Sequence, residues 1–239
     1  MSKQILVIGG TRGTGKLAID CSIDRGYSVT LVARDPAKAR SLFGDTIRII
    51  DGDVTRPESL QTAINSDFDA IIYTVDITGG VGGRGFFASR QSVREIVYDG
   101  VVNTINAAKK QGFQNQFILL TTLGLEAPSI IMTVLDTIKP GVIRASQDKA
   151  TYLIESGLPY TIVQAGALHD GNVSSEPLVV SQADIPMQLN YQISRQHLAQ
   201  ILVAAVGNAI TLDKTFNVYG GQELLLSPAI IDEQFQKLR

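Results

Sequence analysis

Four glycines, Gly9, Gly10, Gly13 and Gly15, fall within the stretch "VIGGTRGTGK" (7–16). An apolar run leads into them and another leads out. Glycine permits a tight turn and lets backbone N–H groups come close to a ligand. A helix opening after such a turn presents free N–H groups and a partial positive charge, which suit a phosphate. At a first strand-to-helix junction this is where the pyrophosphate of a dinucleotide binds. Arg34 agrees with that reading, because it closes the next apolar run about twenty residues further on. A carboxylate at this place would bond the ribose 2′-hydroxyl of NAD, whereas a cation suits the 2′-phosphate of NADP. Arg12 in the turn and Lys38 are further cations for the same phosphate. The expected cofactor is NADP(H).

The elements that must position these residues alternate in type. "KQILVIG", "SVTLVA", "TIRIID", "DAIIYTV", "QFILLTT" and "PYTIVQA" read as strands. Between them "TGKLAIDCSIDRG", "DPAKARSLF", "RPESLQTAIN", "SVREIVYDGVVNTINAAKKQG" and "VIRASQDKATYLIESG" read as helices. The first helix ends at Gly26. The second starts with Asp35 as cap and Pro36 at its first position. The strands are continuous apolar runs, as in a parallel sheet covered on both faces. Strand–helix–strand repetition predicts an α/β, doubly wound, mostly parallel sheet of the Rossmann type, with right-handed crossovers. After Gly166 the rhythm weakens. "PLVVSQA" and "TFNVYG" read as short strands, and "SRQHLAQILVAAVGN" and "PAIIDEQFQKL" as helices. No composition break divides the chain. One domain over 1–239 is expected, with substrate-side elements at about 122–141 and 166–214.

A length of 239 residues suffices for a real core. The net charge of −2 gives no reason to expect a nucleic-acid or anionic-membrane partner. The single cysteine, Cys21, rules out an internal disulfide framework and suits a reducing cytosol. No run has the length of a membrane span, and "MSKQILVIGG" lacks the apolar core of a secretory signal. The expected location is the cytoplasm. Two histidines and one cysteine make a metal centre an unpromising reading.

At this point the chain resembles the atypical short-chain dehydrogenase/reductases, and within them the small NADP-binding group of flavin and biliverdin-IXβ reductases and NmrA-like proteins. The resemblance rests on "VIGGTRGTGK", "LVARDPAKA", "IIDGDVTRPESL", "VVNTINAAKKQG", "QFILLTTLG" and "YLIESGLPYTIVQAGALHDG", which run in order to about residue 171. It implies that Thr11, Arg12, Gly13 and Thr14 hold the phosphates and Arg34 the 2′-phosphate. Asp53 and Val54 would meet the adenine edge, and Thr74 and Val75 the adenosine ribose. Thr121 and Thr122 would stand where the family often has serines facing the nicotinamide. Lys149 would reach the nicotinamide ribose, and "QAGAL" (164–168), with Ala165, Gly166 and Leu168, would pass the carboxamide. The family commonly has Arg-Pro-Gly where this chain has Gln164, Ala165 and Gly166, and often a glycine in place of Arg12.

In typical members a tyrosine four residues before a lysine donates the proton, its phenol made more acidic by the lysine's charge. Here Ala145 stands four before Lys149, and no other lysine has a tyrosine at that offset. Tyr152 lies three after Lys149, on the wrong side for the motif. The usual carbonyl acid is therefore missing, and Thr121, Thr122, Lys149 and His169 remain as candidates for the chemistry. His169, with Asp170 beside it, reads first as a histidine that stabilises its loop and second as a proton donor or substrate contact. His197 reads as structural. The glycine-rich "TGGVGGRG" (78–85), with Arg84, reads as a flap over the cleft or a plain loop. In "PSIIMTVLDTIKPG" (128–141), Ile131, Val134, Leu135 and Ile138 share a helical face. That face suits a lid over an apolar substrate, a surface for a protein partner, or ordinary core.

Two functions follow. One is NADPH-dependent reduction of a planar or apolar acceptor such as a flavin, quinone or tetrapyrrole, which needs little acid from the protein. The other is non-enzymatic NADP(H) binding by a redox sensor or an assembly or regulatory factor.

Overall fold

The computed structural model describes residues 2–77, 88–171, 174 and 176–239. The glycine-rich stretch 78–85 lies outside the described residues. Six parallel strands run in the order β3 (Arg48–Asp51), β2 (Ser28–Ala33), β1 (Gln4–Ile8), β4 (Ala70–Tyr73), β5 (Gln116–Thr122) and β6 (Tyr160–Ala165). β10 (Lys214–Tyr219) adds to β6 in parallel, and β8 (Val179–Ser181) pairs with β10 antiparallel. The strand order reverses between β1 and β4, which opens a crevice at their carboxyl ends.

The continuous apolar strands follow from burial on both faces. In β1, Ile5 and Val7 pack with Ala18 and Ile19 of α1 (Gly13–Asp24) and Leu198 and Leu202 of α8 (Arg195–Ala204). Leu6 and Ile8 face the other way, onto Leu60 of α3 (Pro57–Ala63) and Val101 and Ile105 of α5 (Gly100–Lys110). Each fully buried aliphatic side chain of this kind contributes about 1.5–3 kcal/mol. α7 (Val142–Glu155) completes that second layer through Leu153, and α9 (Pro228–Phe235) closes the first through Ile231 and Phe235.

Three features depart from the sequence reading. The long helix expected over 92–112 is α4 (Arg90–Val93), a π-helical turn (Arg94–Asp99) and α5 in succession. The wide turn sets Gly100 against Tyr73, where a Cβ would come within 2.8 Å of the phenol oxygen. A separate parallel pair, β7 (Ala167–His169) with β9 (Gln192–Ser194), stands beside the main sheet. Finally, the stripe expected to cap a substrate is divided. α6 (Ile130–Ile138) buries Met132 and turns Ile131 and Leu135 inward, while Val134 and Ile138 face out beside Ile130. Leu135 packs against two apolar clusters, so it belongs to the support of the helix rather than to an open lid face.

Candidate functional site

The glycine turn lies where β1 meets α1, and its shape depends on absent side chains. Gly9 has φ +98°, and a Cβ on it would approach the Thr74 hydroxyl to 2.8 Å and the Val75 amide to 2.9 Å. A Cβ on Gly15 would collide with the Gly9 carbonyl. Thr74, at the end of β4, turns its hydroxyl to the Ile8 and Gly9 carbonyls, 3.3 Å from each. It is a strut for the turn, a role its place in the sequence did not announce. Thr11 is half-buried, Arg12 is exposed, and Gly13, also exposed, has φ +53° with the Arg195 side chain beside it. The Thr14 hydroxyl is buried without a hydrogen-bond partner among the described residues. A buried polar atom without a partner costs about 1–3 kcal/mol. A bound phosphate oxygen would satisfy it, so the turn fits the group that the sequence implies.

Arg34 is exposed just beyond β2 and takes part in none of the ion pairs among the described residues. Its neighbour Asp35 instead caps α2 (Pro36–Phe43), accepting from the Lys38 amide at 2.9 Å. Beyond β3, Asp53 folds its carboxylate back onto the amide and hydroxyl of Thr55, at 2.9 and 2.8 Å. Val54 is buried, and its carbonyl accepts from the Asn103 side chain at 2.9 Å.

At the far side of the crevice, strand alternation puts Thr121 on the α7 face with Phe117 and Leu119, and Thr122 on the opposite face. Thr121 is buried, and its hydroxyl also lacks a partner among the described residues. Lys149, fully buried on α7, donates to the Leu120 carbonyl at 3.3 Å, so these two candidates share the carboxyl end of β5. Burial pushes the Lys149 ammonium below its ordinary pKa, and the carboxylate of Asp76 partly opposes that. Tyr152 is committed elsewhere: its hydroxyl donates to Asn106 at 2.7 Å.

At the end of β6, Ala165 and the following Gly166 are buried, and Leu168 is partly exposed. A Cβ on Gly166 would run into the Tyr191 carbonyl and come within 3.2 Å of the Tyr219 Cβ. The rings of Tyr191 and Tyr219 stack at 4.3 Å and 28°. They pack against the cluster of Leu123, Leu125, Met132 and Met187. Burial raises the Tyr219 phenol pKa, so it keeps its proton. Neither tyrosine bears a motif relation to a lysine, and only the return of the chain through β9 and β10 brings them to Gly166. His169 bonds Ser174, Nε2 to Oγ, at 3.0 Å, and Ser174 in turn donates to the Gln192 carbonyl at 3.2 Å. That network favours the loop-stabilising reading of His169. His197 is buried behind Gly221, as a structural histidine would be.

A narrow cleft at this end is lined by Gly124, Glu126, Gln164, Asp184 and Asn217. A larger groove of about 640 Å³ lies at the amino ends of the strands, among Gln4, Ser28, Arg48 and Phe68. It lies at the opposite ends of the strands from the glycine turn, and dinucleotides bind such sheets at the carboxyl ends. No helix among the described residues is long and apolar enough to cross a membrane.

Known proteins resemble the chain along most of its length. It is 29% identical over 191 residues to an uncharacterized chloroplast protein of Arabidopsis thaliana, covering 74% of this chain and 64% of that one. It is 26% identical over 227 residues to the photosystem II assembly factor Ycf39 of Synechocystis, covering 92% and 63%. The chain thus spans less than two thirds of the length of these two relatives. Sanguinarine reductase of Eschscholzia californica is 26% identical over 245 residues, with 90% of this chain and 88% of that protein covered. Among solved structures, the anaerobilin reductase ChuY of Escherichia coli O157:H7 superimposes with a TM-score of 0.68 at 19% identity, covering 91% and 97%. A short-chain dehydrogenase/reductase of Veillonella parvula in complex with NADP gives 0.67 at 15% identity, covering 95% and 100%. At these identities the two structures establish the fold, a Rossmann-type sheet. The family model described as NAD(P)H-binding matches residues 9–209, and with the glycine turn, the strand order and the paired threonines at β5 it bears out the expected kinship with the atypical short-chain dehydrogenase/reductases: the chain belongs to the NAD(P)H-binding family.

Proposed function

We propose that the protein is an NADPH-dependent reductase of a planar, largely apolar acceptor. The observation that carries this reading is the Thr121 hydroxyl, buried and unpartnered at the carboxyl end of β5, two residues before the apolar cluster that α6 roofs. The turn from Gly9 to Gly15 would hold the pyrophosphate, with Thr11, Arg12 and Thr14, and Arg34 the 2′-phosphate. Asp53 and Val54 would border the adenine, Thr74 and Val75 the ribose, and Lys149, Ala165, Gly166 and Leu168 the nicotinamide end. Bound NADPH supplies a hydride, and the acceptor takes its proton from water. Thr121 orients the acceptor by hydrogen bonding. Tyr191 and Tyr219 offer a flat face to a flat ring, and Leu123, Leu125, Met132 and Met187 keep water from it. The substrate-side elements are those at about 122–141 and 166–214. Sanguinarine reductase, a relative by sequence, and the anaerobilin reductase, a neighbour by fold, are both reductases by name, which supports the reading. A reducing location such as the cytoplasm suits the free thiol of Cys21, which partial burial makes less acidic.

Ile130, Val134 and Ile138, an exposed apolar stripe, favour a second reading in which the loaded protein docks a protein partner, and the Ycf39 relative is named as an assembly factor.

Two measurements test the first reading. Dinucleotide titration should show NADPH bound more tightly than NADH. Arg34→Asp should weaken NADPH by about one to two decades, the worth of a charge-assisted hydrogen bond, and leave NADH nearly unchanged. NADPH oxidation should then be seen with flavins, quinones or tetrapyrroles and not with simple ketones, for which a missing acid costs about 10²–10⁴-fold. Equal affinity for both dinucleotides in the wild type overturns the NADP preference. Absence of turnover across the acceptor panel moves the protein to the docking role.

A further inference from the structure

Arg195 opens α8, far in sequence from the glycine turn, yet its side chain lies on the turn. The position a Cβ would occupy on Gly13 is 3.7 Å from the Cδ and 3.7 Å from the Nε of Arg195. The guanidinium group therefore begins at the bare face of Gly13, on the rim that would hold a pyrophosphate. Its Nη1 donates to Asp170 Oδ1 at 2.7 Å, and this is an unequal pair: the Arg195 side chain is 27% exposed, whereas that of Asp170 is 88% exposed. The helix that carries Arg195 is itself fixed, because α8 packs on α1 through the shared apolar cluster. No such packing among the described residues holds Asp170, which follows the last residue of β7.

We propose that Arg195 is a phosphate-binding residue of the dinucleotide site, and that Asp170 holds its guanidinium until the cofactor displaces the carboxylate. The inference rests on the dinucleotide reading of the glycine turn and not on the preference for NADP. An exposed ion pair contributes about 0.2–1 kcal/mol, so Asp170 restrains Arg195 weakly. A diphosphate offers the same planar fork several oxygens and more charge, and bidentate Arg–phosphate pairs are among the stronger charge-assisted bonds. The exchange also loosens the residue next to β7, so cofactor occupancy is felt at the acceptor end of the site.

The test is equilibrium binding of NADPH and NADH to the full chain, followed by calorimetry or quenching of nicotinamide fluorescence. Arg195→Gln keeps much of the stem and removes the charge. It should weaken both dinucleotides alike, by about tenfold or more, and flatten the dependence of affinity on salt. Arg195→Lys, a point charge without the fork, should fall between. Asp170→Asn should tighten both by about two- to fivefold, the worth of the released pair, and should do nothing when Arg195 is already Gln. Melting of the unliganded variants checks the fold. Affinities of Arg195→Gln within twofold of wild type overturn the assignment. Weaker binding by Asp170→Asn overturns the displacement, because the carboxylate would then be placing the guanidinium for its ligand. A wild-type protein that binds neither dinucleotide overturns the cofactor reading itself, and loss confined to NADPH would make Arg195 a 2′-phosphate residue instead.

Discussion

Between Ile8 and Arg34 the crevice is built mostly of backbone from one contiguous segment, with Thr74 as its strut. Between Thr121 and Tyr219 it is built of side chains from β5, α6, α7 and the β6–β10 return. The cofactor end thus tolerates little change at Gly9, Gly10 and Gly15, where other atoms already fill the space of the missing Cβ. The acceptor end depends on packing among segments that meet only in the folded chain. A turn that must recognise an invariant diphosphate can be written locally. A surface that must suit one acceptor out of many is more easily varied when its parts lie on separate loops.

The sharpest way to break this contrast is to put a side chain where the turn has none. Gly15→Ala drives a Cβ into the Gly9 carbonyl and to 2.5 Å from the Thr74 hydroxyl. Overpacking of this kind costs about 1–3 kcal/mol, so dinucleotide affinity should fall by about one to two decades. Gly26→Ala is the control. Gly26 has φ +74° with open space around it, so the change should cost about 1–2 kcal/mol of stability and no affinity. Titration and thermal melting of both variants separate collision from strain. Undiminished affinity in Gly15→Ala would mean that the turn does not carry the cofactor.

The same contrast explains what could be read in advance. The glycine turn, Arg34, and the Asp35–Pro36 start of α2 are local signals, and each is found where the residues place it. The strand order follows from continuous apolar runs that both helical layers bury. The division of α6 did not follow. Steps of about 100° per residue put Ile131, Val134, Leu135 and Ile138 on one arc, but only the neighbours decide how much of that arc is covered. β7 and β9 have three residues each, too few to show a period. Arg195, Tyr191 and Tyr219 reach the site through contacts with Gly13 and Gly166, across gaps in the chain that no spacing rule spans.

Lys149 stands at the acceptor end, and its burial makes a prediction whose sign is fixed. Its folded-state pKa lies below the ordinary 10.5, mainly through desolvation. At neutral pH its charge is costly to bury. As pH rises from the folded value toward 10.5, the unfolded chain holds more protons than the folded one, so stability rises with pH across that window. Lys149→Met removes the burial cost and the slope together. The unliganded variant should melt at a higher temperature than the wild type at neutral pH, with the difference shrinking as pH approaches 10.5. Dinucleotide affinity should fall at the same time, which a merely structural lysine would not require. Identical melting curves across the alkaline range would place the Lys149 ammonium in contact with water.

The smallest effect on stability is expected from α6, and it decides what the exposed stripe is for. Val134 is 53% exposed and Ile138 36% exposed, so Val134→Ser with Ile138→Ser should change stability by no more than about 0.5 kcal/mol per site. Neither residue touches the turn or Arg34, so NADPH affinity should be unchanged. If an apolar acceptor lies under this face, it covers roughly 50 Å² of the stripe, worth about 1.3 kcal/mol at 25 cal/mol/Å². KM for the acceptor should then rise about three- to tenfold while kcat holds, since such contact binds substrate and transition state alike. Steady-state kinetics with the best acceptor of the panel reads this directly. The inward residue Leu135 makes a poor probe of the same question, because a polar group there disturbs two apolar clusters at once. Unchanged KM in the double variant assigns Val134 and Ile138 to a docking surface, and the acceptor end would then be closed by the cluster around Met132 and Met187 alone.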